Sequence, residues 1–107
     1  MHTDSPTFGT AFNPWNRERT CGGSSGGDGA LVGARCVPLS IGTDVGGSLR
    51  VPSMFNGAYA MKPSSFRASN KGNFTGLDYN MALNPYVKSA AGPIANYIDD
   101  LKIVINL

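Results

Sequence analysis

The sequence is poor in cysteine and histidine, and both shortages exclude classes of protein. Its 107 residues include 2 cysteines and 1 histidine. Two thiols are too few for a disulfide scaffold, so we expect Cys21 and Cys36 to be free. No CxxC pair and no cluster of cysteine and histidine has the spacing of metal ligands, and no phosphate-binding glycine motif is present. The sequence therefore predicts neither a metal site nor a cofactor.

Strong charge and long apolar runs are also missing. The net charge is +2, from 9 basic and 7 acidic residues that do not cluster, so a nucleic-acid partner is not expected. No stretch approaches the 18 or so apolar residues of a membrane-spanning helix. Residues 1–7 are polar and lack the apolar segment of a signal peptide. These absences favour a cytoplasmic or membrane-associated protein, and they leave the oligomeric state open.

Glycine is the residue in excess. The sequence has 14 glycines, about twice the usual share of roughly 7%. Small and apolar residues at helical spacing follow the first glycine cluster, so we predict a short, tightly packed helix over residues 28–35 and not a linker between domains. The two clusters consist of Gly22, Gly23, Gly26, Gly27, Gly29 and Gly33, and of Gly42, Gly46 and Gly47.

The middle of the chain has the pattern of an α/β protein. Residues 37–42 predict a short buried strand, and residues 43–47 predict a tight glycine turn after it. Ser48 then stands where the N-cap of a helix over residues 49–56 is expected, and Gly57 is a typical helix stop. Residues 58–61 predict a second short strand. This alternation of helices and strands indicates an α/β fold.

Both ends of the chain carry weaker signals. Residues 1–20 predict an irregular approach with a turn at Asn13-Pro14, and residues 64–80 predict a loop. Gly92-Pro93 is expected to open a C-terminal helix, since proline is favoured at the first helical position. Its apolar face would consist of Ile94, Tyr97, Ile98, Leu101 and Ile105.

A serine after two glycines, at a turn from strand to helix, is placed for nucleophilic chemistry. Backbone N–H groups at such a turn can converge on an oxyanion, and the candidate donors are Val45, Gly46, Gly47 and Ser48. The one histidine, His2, lies in a polar tail, so a Ser-His-Asp triad is not predicted, and the GxSxG pattern is absent. The base that activates Ser48 must therefore be of another kind.

Three motifs in this order and spacing closely resemble the signature of the amidase signature family. They are the run Gly22-Gly23-Ser24-Ser25-Gly26-Gly27, the segment from Gly42 to Pro52, and Lys62-Pro63-Ser64. Residues 8–15 and 26–33 most resemble the fatty-acid amide hydrolase branch. The resemblance implies a large mixed β-sheet flanked by helices, of which residues 1–107 would be one incomplete domain.

The resemblance also implies roles for individual residues. Ser48 would be the nucleophile and Ser24 the bridging serine of a Ser-Ser-Lys triad, with a cis peptide bond before Ser24. The N–H groups of residues 45–48 would form the oxyanion hole. The surrounding loops would be held by hydrogen bonds and charge pairing through Ser25, Thr43, Asp44 and Arg50, and an internal Asp44–Arg50 ion pair is expected.

The lysine of that triad has no counterpart among the lysines of this chain. In the family it lies upstream of the glycine–serine run. Lys62 matches a structural position, and Lys71, Lys88 and Lys102 match no catalytic one. We therefore expect the chain to be a piece of an amidase that lacks its catalytic lysine and is inactive in isolation.

The implied activity is hydrolysis of a carboxylic amide through an acyl-enzyme. A small-molecule amide with a fatty-acid or other lipid-like acyl group is the favoured substrate, and the full-length enzyme could associate with membranes. Three alternatives stay open: a general aryl or aliphatic amidase, an amidotransferase subunit that acts on charged transfer RNA, and a truncated product without activity.

Overall fold

A three-stranded antiparallel sheet is the base of the fold. The computed structural model describes residues 1–69 and 88–106. In the sheet the strand order is β3–β5–β4, so the strand that comes last in sequence lies in the centre. The elements are β1 (Asp4–Ser5), β2 (Gly9–Thr10), α1 (Gly26–Gly33), β3 (Leu39–Asp44), α2 (Arg50–Asn56), β4 (Tyr59–Ala60), β5 (Ala90–Ala95) and α3 (Ile98–Ile105).

Glycines on one face of α1 allow it to approach α2 closely. A Cβ on Gly29 would lie 2.8 Å from the Cβ of Pro52, and a Cβ on Gly33 would lie 2.8 Å from the Cβ of Asn56. Residues four apart share one face of a helix, so both contacts belong to a single flat interface. The helix predicted over residues 28–35 is confirmed, although it begins and ends two residues earlier, as Gly26–Gly33.

Leu49 fills a hollow that two glycines leave in the sheet. Gly42 of β3 and Gly92 of β5 are register partners. A Cβ on Gly42 would lie 2.8 Å from Leu49 Cδ2, and a Cβ on Gly92 would lie 3.0 Å from Leu49 Cδ1. Leu49 forms the buried core with Val32 and Ile94. The core therefore holds the residue that directly follows the predicted nucleophile.

The N-terminal approach is more regular than the sequence suggested. The strands β1 and β2 pair as an antiparallel hairpin, with Asp4 opposite Thr10. The predicted turn at Asn13 is present, and the Trp15 N–H donates to Asn13 Oδ1 at 2.9 Å. This turn also contacts α2, because Asn13 Nδ2 donates to the Phe55 carbonyl at 2.8 Å and Trp15 Nε1 to the Asn56 carbonyl at 2.9 Å. The approach segment therefore caps the C-terminus of α2, whose last carbonyls have no partner inside the helix.

The prediction of a helix that opens at Gly92-Pro93 is wrong. Both residues, together with Ile94, lie in β5, and the helix begins at Ile98. The Pro93 carbonyl accepts the Met61 N–H at 3.1 Å, on the β4 side of the sheet. Within a strand the N–H and C=O of one residue face the same neighbour. The position where Pro93 lacks an N–H therefore faces the β4 side of the sheet, where β4 has already ended at Ala60. No ladder hydrogen bond from β4 is lost there, so the central strand tolerates a proline.

The other predicted elements are present with shifted bounds. The first strand is Leu39–Asp44 and the second is Tyr59–Ala60. Gly57 ends α2 in the left-handed conformation, with a φ of 73°, as expected of a glycine stop. Residues 64–69 are irregular, and the remainder of the loop predicted over residues 64–80 lies outside the described residues. Among those that are described, no helix is long and apolar enough to span a membrane.

Candidate active site

Asp44 organises the turn that carries Ser48. Its side chain is fully buried, and it accepts the N–H groups of Gly47 at 2.7 Å, Leu49 at 3.1 Å and Arg50 at 3.4 Å. The Arg50 guanidinium adds two further bonds of 3.0 Å, one to each carboxylate oxygen. One carboxylate thus holds three positions of the turn and start of α2. The expected Asp44–Arg50 ion pair is present, but only Asp44 is internal, because the Arg50 side chain is 55% exposed.

These contacts keep Asp44 ionised. Burial alone would raise the pKa of its carboxyl group, but the hydrogen bonds from Arg50 and from the three N–H groups outweigh burial and hold the pKa well below its usual range. The same pairing raises the pKa of the Arg50 guanidinium. The turn is therefore built around a buried negative charge.

Ser48 is not the N-cap residue that the sequence predicted. Leu49 occupies that position, and its side chain makes no capping hydrogen bond. The Asp44 carboxylate instead satisfies the N–H groups at the start of α2, from five and six residues upstream. An aspartate before a glycine turn and a helix is the signal that could have revealed this cap. Because the Ser48 hydroxyl does not cap α2, it is available for other chemistry.

The four candidate oxyanion donors differ in their surroundings. The N–H of Gly47 is engaged by Asp44, whereas Val45 and Gly46 are exposed and Ser48 is half-buried. Gly47 has a φ of 125°, which is a backbone conformation that side chains rarely adopt. The arrangement can present N–H groups of the turn to a negatively charged oxygen, with Gly47 fixing the bend.

The segment that carries Ser24 is joined to Ser48 through the backbone. The Gly23–Ser24 peptide bond is cis. The Ser25 N–H donates to the Ser48 carbonyl at 3.1 Å. The Ser25 hydroxyl bonds both the N–H and the carbonyl of Thr43, at 3.3 and 3.4 Å. The two serine-bearing loops and the end of β3 therefore form one connected unit, in which Ser24 is exposed.

Two buried or half-buried polar contacts escaped the sequence analysis. Asn56 is fully buried, and its Nδ2 donates to the carbonyls of Cys21 at 2.8 Å and Pro52 at 2.7 Å. Asn56 thereby ties the start of the Ser24 loop to α2. The Ser40 hydroxyl bonds the Asp28 carboxylate, which joins β3 to α1. No local motif predicts the Asn56–Cys21 or the Ser40–Asp28 contact, because these partners lie 35 and 12 positions apart in sequence.

The described lysines contact groups other than Ser24 and Ser48. Lys62 Nζ donates to the Pro63 carbonyl at 3.4 Å, Lys88 lies 4.2 Å from the centre of the Phe66 ring, and Lys102 pairs with Asp99 at 2.7 Å. Lys71 lies outside the described residues. The structure therefore assigns other contacts to each of the three lysines that it describes.

The cysteines are free, as predicted. Burial raises the pKa of the Cys21 thiol, and Cys36 is exposed. Across residues 1–69 and 88–106, no group of three or more His, Cys, Asp or Glu side chains is arranged to hold a metal ion.

Comparison with known proteins identifies the family of the chain. The model of the Amidase family matches residues 1–107. The chain is 45% identical over 91 residues to fatty acid amide hydrolase 1 of Caenorhabditis elegans, covering 85% of this chain and 15% of the relative. It is 41% identical over 96 residues to an acetamidase of Emericella nidulans, covering 90% and 17%. It is also 39% identical over 107 residues to a glutamyl-tRNA(Gln) amidotransferase subunit of Sulfolobus acidocaldarius, covering 98% and 20%.

Solved structures agree with the sequence comparison. A fatty acid amide hydrolase structure matches with a TM-score of 0.87 and 33% identity, over 97% of this chain and 18% of its own. A bacterial aryl acylamidase of the amidase signature family matches with a TM-score of 0.82 and 35% identity, over 98% and 20%. The chain thus spans 15% to 20% of the length of these relatives. It belongs to the amidase signature family, and within that family it resembles the fatty-acid amide hydrolase branch.

Proposed function

We propose that the protein containing this chain hydrolyses carboxylic amides through an acyl-enzyme on Ser48. The observation that carries the proposal is the 3.1 Å hydrogen bond from the Ser25 N–H to the Ser48 carbonyl, which joins the turn held by Asp44 to the Ser24 loop. The family to which the chain belongs supports the same chemistry. By full-length protein we mean this chain with any residues that its gene encodes on either side.

The proposed reaction uses two serines and a base. Ser48 Oγ attacks the amide carbonyl carbon while its proton passes to Ser24 Oγ, and the proton of Ser24 passes to a neutral lysine. The oxyanion is stabilised by the N–H groups of Val45, Gly46 and Ser48, since the Gly47 N–H donates to Asp44. Loss of one such donor would cost about 3–4 kcal/mol of barrier. The C–N bond then breaks, and the leaving amine takes a proton back through Ser24. Water hydrolyses the ester on Ser48 and releases the acid.

The lysine of this scheme is proposed to lie outside the 107 residues. The three described lysines have other contacts, and in the family the catalytic lysine lies upstream of the glycine–serine run. The full-length protein is accordingly the active species of the proposal, and the isolated chain is expected to be inactive.

A lipid-like amide is the proposed substrate. The support is likeness to the fatty acid amide hydrolase of Caenorhabditis elegans and to a solved structure of a fatty acid amide hydrolase. Association of the full-length protein with membranes would suit such a substrate. The competing functions are those of a general amidase and of an amidotransferase, supported by the acetamidase and the amidotransferase among the relatives.

The test is labelling of the full-length protein by a fluorophosphonate probe, together with hydrolysis of a fatty-acid primary amide and of acetamide. We expect wild type to be labelled at Ser48, labelling to vanish in Ser48→Ala, and hydrolysis to fall about 10²- to 10⁴-fold in Ser24→Ala. Ser64→Ala, which removes an exposed serine, is the control and should behave as wild type. A folded full-length protein that is not labelled would support the inactive alternative. Faster hydrolysis of acetamide would favour a general amidase, and ammonia release from glutamine alone would favour the amidotransferase.

A further inference from the structure

The Thr3 side chain lies against the loop that carries Ser24. Its Oγ1 accepts the N–H of Gly26 at 3.0 Å. The same hydroxyl lies 3.0 Å from the Gly22 carbonyl oxygen and 3.2 Å from that of Ser24, and it donates its proton to these carbonyls. One side chain, 19 to 23 positions distant in sequence, therefore contacts the backbone before, at and after Ser24.

Thr3 is itself held in place by the N-terminal hairpin. Its carbonyl accepts the N–H of Ala11 at 3.0 Å, next to the pairing of β1 with β2. The Cys21 thiol donates to the Ala11 carbonyl at 3.1 Å, which ties the hairpin to the start of the loop. The hairpin is therefore a fixed support and not a loose tail.

Gly23 and Gly26 of the Ser24 loop are packed directly against residues 2 and 3. A Cβ on Gly23 would lie 2.5 Å from the His2 carbonyl oxygen, and a Cβ on Gly26 would collide with the Thr3 side chain and lie 2.7 Å from Cys21 Sγ. Residues 2 and 3 are thus in direct contact with the peptide groups on both sides of Ser24.

We propose that Thr3 is a positioning residue for Ser24. A glycine-rich loop has large conformational freedom, and proton transfer between two hydroxyl groups requires hydrogen-bond distance. Thr3 restricts the loop by one accepted and one donated hydrogen bond, and so fixes where the Ser24 hydroxyl meets Ser48. The catalytic consequence rests on the proposed function, whereas the restraint on the loop does not.

The test compares three variants of the full-length protein. Thr3→Val keeps the shape of the side chain and removes the hydroxyl, and Thr3→Ser keeps the hydroxyl. Thr10→Val is the matched control, because the Thr10 hydroxyl donates to Asp4 Oδ1 at 2.8 Å on the exposed face of the same hairpin. We expect fluorophosphonate labelling of Ser48 to slow on the order of 10- to 100-fold in Thr3→Val. Labelling should recover most of the wild-type rate in Thr3→Ser and be unchanged in Thr10→Val.

Hydrogen exchange supplies a readout that does not depend on activity. The exchange of the Gly26 N–H should accelerate in Thr3→Val and not in Thr10→Val, while exchange within β5 stays at the wild-type rate in both. If Gly26 exchange is unchanged in Thr3→Val, or if exchange accelerates but labelling keeps its wild-type rate, the positioning role is overturned. If wild type itself is not labelled, the proposed function fails, and Gly26 exchange alone decides whether Thr3 restrains the loop.

Discussion

The backbone N–H of Ser25 donates to the carbonyl oxygen of Ser48 at 3.1 Å. This bond joins the loop of the proposed bridging serine to the residue that is the proposed nucleophile, and no side chain of either catalytic candidate takes part in it. The two loops are therefore held together by groups that every substitution of Ser24 or Ser48 leaves intact.

The first prediction follows from that bond. We expect Ser48→Ala and Ser24→Ala to change the free energy of unfolding by less than about 0.5 kcal/mol, since their hydroxyl groups are not needed to join the loops. Thermal unfolding of the full-length protein measures the effect. A large drop in the midpoint for either variant would show that these hydroxyls are structural, and loss of labelling could then not be assigned to chemistry.

Replacing Asp44 should damage the turn itself. Asp44→Asn removes the charge that pairs with Arg50 and replaces an accepting oxygen with an NH₂ group that faces N–H donors. Because buried N–H groups then lack an acceptor, we expect a loss of about 1–3 kcal/mol. Asp99→Asn is the matched control, because Asp99 pairs with Lys102 at the exposed surface. It should leave the thermal midpoint close to that of wild type, because exposed ion pairs contribute little to stability. Equal shifts of the thermal midpoint in the two variants would contradict the role of Asp44.

The lowered pKa of Asp44 predicts a stability that falls in acid. Its carboxyl is held below the usual pKa of about 3.9 that it would have in the unfolded chain. The stabilisation is thus complete above about pH 5 and is lost progressively as pH falls through the unfolded-state pKa toward the lower folded-state pKa, because the unfolded state then binds the proton more readily. Denaturant unfolding between about pH 5 and pH 2 measures it. Asp44→Asn should flatten this dependence, and an unaltered slope in that variant would oppose the assignment.

The hollow beneath Leu49 should not accept a methyl group. In Gly42→Ala the new Cβ would lie 2.5 Å from Ser25 Oγ and 2.8 Å from Leu49 Cδ2, and we expect a loss of about 1–3 kcal/mol from overpacking. Gly27→Ala is the control, since nothing lies within 4 Å of its Cβ position. It should be neutral or stabilising, because alanine favours a helix over glycine by about 1 kcal/mol. A neutral Gly42→Ala would mean that the turn can shift to make room.

The cap on α2 offers a further matched pair. Asn13 and Asn16 both accept an N–H two residues ahead, from Trp15 and Glu18, each at 2.9 Å. Only Asn13 also donates to the Phe55 carbonyl. We therefore expect Asn13→Ala to cost about 1–2 kcal/mol and Asn16→Ala about 0.5 kcal/mol or less. The thermal midpoints of the two variants test this difference, and equal midpoints would contradict the capping role of Asn13.

The sequence predicts those parts of the fold that local physics controls. Gly57 ends α2 in the left-handed conformation, which glycine adopts readily, and the small and apolar residues that follow the first glycine cluster predicted the helix observed over Gly26–Gly33. The motif order also sufficed to identify the family. The local pattern gave the wrong prediction at Pro93. A proline at the first position of a helix and a proline in a strand whose neighbour ends beside it have the same local sequence.

The contacts of the candidate site were harder to predict than its residues. Ser48 was identified as a nucleophile by its neighbours in sequence, but the cap by Asp44 was not, since it acts across five and six residues. Thr3 and Asn56 act across about twenty and thirty-five positions. Contacts of that kind depend on how the chain closes on itself, and no spacing rule describes them.

The central position of β5 has a consequence for biosynthesis. Both β3 and β4 pair with β5 and not with each other, yet β5 is made about thirty residues after β4 and about fifty after β3. A ribosome that has released residues 22–60 has thus produced both serine loops while the strand that completes their sheet is still untranslated. Among the described residues β3 and β4 pair with no strand other than β5, so both present exposed edges during that interval, and such edges invite wrong partners. If synthesis stalled before Ala90, the chain would contain both Ser24 and Ser48 but would lack the central strand of the sheet.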